Sequence, residues 1–160
     1  MHSVPGLRIH DLVQRPPSVG DLMVLCEDNY RYLLSLAPQL RRLQGQHCST
    51  SEADQDLHLT VVEQTRYTSL VRLTYHFTLD DGSSTEPDAL LRVYHDAQQV
   101  EVEDLRQQVL PTHRLFEAPG LLNKWRLNLF VSRWLMFCVS QGHLFVDELS
   151  ALRKPLCDLS

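Results

Sequence analysis

The chain has 160 residues, 43% of them hydrophobic and 22% charged. That is the composition of one globular domain with short extensions, and it excludes disordered, collagen-like and coiled-coil classes. The net charge of −5 opposes the basic footprint that duplex nucleic acid demands, and no apolar run approaches the roughly 18 residues of a membrane helix. Neither nucleic acid nor a membrane is expected as a partner.

Residues 1–16 carry prolines and no periodicity, and are expected to form an extended arm. Met1 to Gly20 lacks the apolar core of a secretory leader, so the expected address is cytoplasmic. From Leu22, apolar residues recur at helical spacing through Leu25, Cys26, Leu33, Leu36, Ala37 and Leu40. Ser18 or Asp21 can cap this helix, and Pro38 ends or kinks it. Residues 44–56 are polar, without Lys or Arg, and read as a mobile loop.

The middle of the chain reads as strands. Leu57, Leu59 and Val61 alternate with His58 and Thr60; Val71, Leu73, Tyr75, Phe77 and Leu79 alternate with polar residues. After the loop at 80–88, the segments 89–95 and 98–103 can pair as a hairpin. Setting Val93 against Val100 puts Leu91 against Val102, and Arg92 then lies across from Glu101. Pro111, Pro119 and Gly120 break the region 105–122. Residues 123–141 form a long helix with Gly142 as its C′ residue. One apolar stripe runs through Leu127, Phe130, Val131, Trp134 and Cys138. A second, through Trp125, Leu129 and Met136, is either buried within the fold or used as an interface.

These elements predict an α+β fold: an N-terminal helix, a mainly antiparallel four-stranded meander sheet, and a long C-terminal helix packed on one face. The single domain spans 17–146, with a tail over 147–160. In a meander, the tip at Thr65-Arg66-Tyr67 and the tip at His95-Asp96 fall at the same end of the sheet. Glu63 is in phase with Leu57, Leu59 and Val61, and His95 with Leu91 and Val93, so both are expected to lean toward the core. A candidate polar site therefore comprises Glu63, Arg66, Tyr67, His95 and Asp96.

The segments LCEDNYRYLLSLAP (25–38), LTVVEQTRYTSLVRL (59–73), LRVYHDAQQVEV (91–102) and NKWRLNLFVSRWLMFCVSQG (123–142) together resemble the YqiB-like family of small bacterial proteins. The resemblance runs in order from about Pro17 to Gly142. It carries over motif positions that include Cys26, Asn29, Thr65, Arg66, Tyr67, Thr68, His95, Asp96, Asn128, Trp134, Cys138 and Gly142. That family has no assigned activity, so the resemblance implies a domain and no catalytic role.

The residue types leave several readings open. Glu63, His95 and Asp96 are metal-ligating types, but adjacent strand residues point to opposite faces, and no metal or other cofactor is expected. Arg66 with Tyr67 and His95 suits a phosphate or carboxylate; the same residues can equally be a network that fixes two turns. Cys26, Cys48, Cys138 and Cys157 form no C-x-x-C pair and are expected to be structural thiols. The favoured function is a non-catalytic binding or regulatory module acting through protein contacts, with a protein partner or a second copy on Trp125, Leu129 and Met136. The alternative is a small hydrolase or phospho-metabolite-binding enzyme using the polar site at the hairpin tips.

Overall fold

In the computed structural model, which describes residues 16–79, 82–84, 87–106 and 120–146, Ser18 and Asp21 start the first helix together. The Ser18 hydroxyl accepts from the Asp21 amide at 3.1 Å, and the Asp21 carboxylate accepts from the Ser18 amide at 2.9 Å. This reciprocal capping box satisfies two of the amide donors that a helix start leaves open. Helix α1 spans Val19–Leu36 and buries Leu25, Cys26, Leu33 and Leu36. It ends just before Pro38, and a short 3-10 turn follows at Leu40–Arg42.

The polar stretch expected as a loop is instead strand β1, Gly45–Ser51, hairpinned onto β2, Asp54–Gln64. Its side chains show no apolar alternation because it is the edge of the sheet, and only Ser49 is buried. Backbone pairing holds it rather than an apolar stripe. Strand β3 (Thr68–Leu79), the short β4 (Gly82–Ser84), β5 (Asp88–Tyr94) and β6 (Gln99–Arg106) complete an antiparallel sheet. The strand order is β1-β2-β3-β5-β6, with β4 alongside β3. The meander thus holds five strands and an added short one, where four were expected. The missing strand is the polar edge.

The β5–β6 register is the expected one: Val93 faces Val100, Leu91 faces Val102 and Arg92 faces Glu101. The ion pairs run diagonally, however. Arg92 bonds Glu103 at 2.5 Å, and Glu101 is left to Lys124 at 3.3 Å. Helix α2, Gly120–Ser140, closes with Gly142 at φ +85°, where a side chain on Cβ would be strained. The His143 amide then returns to the Cys138 carbonyl at 3.2 Å.

Helix α1 packs against α2, and both lie against β6. The core joins Leu33 and Leu36 of α1 to Val131, Trp134, Leu135 and Cys138 of α2. Across from them stand Leu57, Leu59, Val71, Leu73, Leu91, Val93 and Val100 of the sheet. The Trp134 ring meets Tyr75 edge-on, with centroids 5.4 Å apart. Both apolar stripes of α2 are at least half-buried: Trp125 is 3% exposed, and Leu129 and Met136 are partly covered. No helix among the described residues is long and apolar enough to cross a membrane. The expected arm lies outside the described residues except for Pro16, as do the tail at 147–160 and most of the broken region 105–122.

Candidate functional site

The two hairpin tips do meet at one end of the sheet. The His95 amide donates to the Tyr67 carbonyl at 2.9 Å, and Thr68 pairs with Tyr94. What they bring together differs from the expected set. A β-bulge between Val61 and Glu63 shifts the alternation of β2 by one residue, and one residue is enough to exchange the two faces of a strand. Glu63 is therefore exposed rather than inward, and Gln64 takes the inward place. Arg66 lies 5.2 Å over the ring of its neighbour Tyr67, and both are exposed. Asp96 is exposed in the β5–β6 turn. Of the five candidate residues, only His95, 5% exposed, reaches an interior position.

The threonines of the E-x-T-R-Y-T segment explain its local conformation. The Thr65 amide donates to the Thr68 carbonyl at 2.9 Å, and the Thr68 amide donates to the Thr65 hydroxyl at 3.1 Å. They close the β2–β3 turn and direct Ser69 inward, in phase with Val71 and Leu73.

Gln64, Ser69 and His95 form a buried chain. The Gln64 amide nitrogen donates to the Leu40 carbonyl at 3.0 Å and to the Leu43 carbonyl at 3.5 Å. Two carbonyl partners fix which end of the amide is the NH₂ group, so Gln64 Oε1 faces Ser69 as an acceptor. The Ser69 hydroxyl donates its single proton to that oxygen. Ser69 Oγ must then accept from His95 Nε2, 2.7 Å away. His95 is thereby the Nε2–H tautomer, with Nδ1 left as an acceptor. Burial, then the positive charge of Arg41, holds its pKa below the ordinary 6.5, against a smaller opposing pull from Asp96.

His95 lines a cleft of about 530 Å³ between the 3-10 turn and the β5–β6 turn. Tyr30 and Leu34 of α1 form one wall, and Pro38 through Arg42 form another. Gln98, at φ 54° in the left-handed region, completes the rim. Among the described residues, Arg41 and Arg42 are the charged members of the lining, and no acidic side chain shares it. Neither arginine is legible in the sequence, because both sit in a three-residue turn with no motif. Their adjacency just after Pro38 was the only signal. Gln64 was hidden by the bulge.

A second buried cluster stands at the other end of β2. Ser49 Oγ and His143 Nδ1 are 2.9 Å apart, His143 Nε2 and Asp54 Oδ2 are 2.9 Å apart, and the Tyr75 hydroxyl donates to the same carboxylate at 2.6 Å. The residue types are those of a hydrolytic triad, but Ser49 Oγ already accepts the Leu144 amide at 2.9 Å and the His143 side chain is fully buried. The cluster clamps the segment after α2 onto the β1–β2 hairpin.

The thiols divide. Cys26 and Cys138 are free and buried, and burial pushes each thiol up to about 12, as expected of structural cysteines. Cys48, on the half-buried edge strand, is disulfide-bonded instead. It lies near Asp56 and His58, a grouping of metal-ligating types, but a disulfide sulfur is no thiolate ligand.

A family model described as a protein of unknown function, DUF1249, matches residues 32–144. That span holds Arg41, Arg42, Gln64, Ser69 and His95. The uncharacterized protein YqiB of Escherichia coli K12 is 30% identical over 135 residues, covering 81% of this chain and 94% of its own length. The YqiB proteins of the O6:H1 and O157:H7 strains match to the same extent. No solved structure matches.

Proposed function

The chain belongs to the DUF1249 family, and we propose that it is a binding module for small anions, with the cleft over His95 as its site. The observation that carries this reading is the lining itself. Two adjacent arginines, with no acidic neighbour among the described residues of the wall, stand beside a histidine whose pKa burial lowers, in a chain whose net charge is −5. Guanidinium groups grip carboxylate and phosphate oxygens through paired N–H donors, and the cleft has the size of a small-molecule site.

Binding is favoured over hydrolysis by the direction of the protons. A serine nucleophile needs a histidine nitrogen free to take its proton. Ser69 instead gives its proton to Gln64 and receives one from His95, and it is fully buried. Protein contact through α2 has less support, because Trp125, the aromatic anchor of that face, is buried.

Calorimetric titration of the full chain with inorganic phosphate, citrate and glucose tests the reading. Saturable binding of phosphate or citrate is expected, weakened by salt and reduced at least tenfold in the Arg41→Ala/Arg42→Ala double variant, with no glucose binding. Absence of saturable binding by either anion overturns it.

A further inference from the structure

Resting on that anion-binding reading, we infer that the ligand is a hydroxylated small acid, whose anionic group is held by Arg41 and Arg42 while its hydroxyl donates to His95 Nδ1. The argument is one of proton accounting. Leu40 and Leu43 orient the Gln64 amide, Gln64 takes the Ser69 proton, and Ser69 takes the His95 Nε2 proton. Each link leaves the next no choice, and the chain ends on a bare ring nitrogen.

Among the described residues no hydrogen bond reaches His95 Nδ1. The residue is 95% buried and is one of those that line the cleft. With Nε2 committed to Ser69, the polar edge it can offer a ligand is Nδ1. A lone-pair acceptor repels a bare carboxylate or phosphate oxygen and matches an O–H donor. The cleft therefore presents guanidinium donors for the anion and one acceptor for a neutral donor group. A plain anion satisfies the first and leaves the second unpaired, which a buried site discriminates against.

Matched ligand pairs separate this inference from the reading beneath it. Citrate differs from tricarballylate by one hydroxyl, and glycerol 3-phosphate differs from propyl phosphate by two. In calorimetric titrations of the full chain, the hydroxylated member of at least one pair is expected to bind about tenfold tighter, the weight of one hydrogen bond to a buried group. His95→Gln keeps an N–H for Ser69 at the ε position and has no acceptor at the δ position. It is expected to erase the difference within the pair while anion binding persists. Should that variant fail to fold, the ¹⁵N shift of His95 Nδ1 in the wild-type chain decides. It is expected to move upfield with glycerol 3-phosphate, as an acceptor nitrogen does on taking a hydrogen bond, and to stay unchanged with propyl phosphate. Equal affinities within both pairs overturn the hydroxyl requirement and leave anion binding standing. If no member of either pair binds, both fall.

Discussion

Replacing Ser69 by Ala removes one oxygen and almost no volume, so its effect isolates the hydrogen-bond chain from packing. Two bonds vanish: the one accepted from His95 Nε2 at 2.7 Å and the one donated to Gln64. His95 is 5% exposed and Ser69 0%, so the imidazole N–H is left buried without an acceptor, at about 1–3 kcal/mol. Gln64 is only half-buried and retains its bonds to Leu40 and Leu43, so its share is about 1 kcal/mol. The sum, roughly 2–4 kcal/mol, is a large part of the ~5–15 kcal/mol that holds a domain of this size. Urea denaturation at neutral pH measures it, with the slope expected to stay constant because the surface exposed on unfolding is unchanged. The same protein, ¹⁵N-labelled, reports the tautomer. Wild-type His95 is expected to show a protonated Nε2 and a bare Nδ1, and Ser69→Ala to let the two forms exchange. A loss under about 0.5 kcal/mol, or a wild-type spectrum with the proton on Nδ1, refutes the chain as drawn.

Asn128→Leu is the corresponding test of the helix side. Asn128 is fully buried, accepts from the Val102 amide on edge strand β6 at 3.1 Å and from Asn29 of α1 at 3.3 Å, and donates to the Lys124 carbonyl at 2.8 Å. Stranding a buried edge amide together with Asn29 is expected to cost about 3 kcal/mol in guanidinium denaturation; a loss below about 1 kcal/mol refutes the tie. The folded pKa of His95 lies below its unfolded 6.5, so between those two values the unfolded chain binds the extra proton. Stability is accordingly expected to be full above pH 6.5 and to fall as the pH drops through that window. It levels off once the folded form also binds the proton. Arg41 and Asp96 are the charges that act on the ring, and Arg42 shares its cleft. The difference between wild-type and His95→Gln stability curves isolates this slope, and parallel curves refute it.

The buried tie at Asn128 also explains why motif positions far apart in the chain belong together. Cys26, Asn29 and Asn128 meet where α1, α2 and β6 join, with the Cys26 thiol 3.8 Å from the Asn128 side-chain oxygen. Family resemblance marked these residues, but no periodicity does, because a polar residue on an apolar helix face carries no sign of which strand it will reach.

Local patterning alone determined a good deal of this protein. The capping pair Ser18 and Asp21, the helix stop before Pro38, the Val93–Val100 register and Gly142 beyond α2 follow from interactions within a few residues or between adjacent strands. So does the meeting of the two tips at one end, which is a rule of meander connectivity. Tertiary structure decided the rest. Strand β1 exists because β2 offers it an edge, although its own side chains signal a loop. The bulge after Val61 turned Glu63 out and Gln64 in, and so replaced a charge that would need a partner with an amide that finds three. Arg41 and Arg42 came to line the cleft because Gln64, some twenty residues along the chain, holds the carbonyls of their turn against the sheet. Periodicity reports which residues are apolar together; it carries no information on a one-residue slip or on which distant carbonyl a side chain will meet, and those two facts made the cleft.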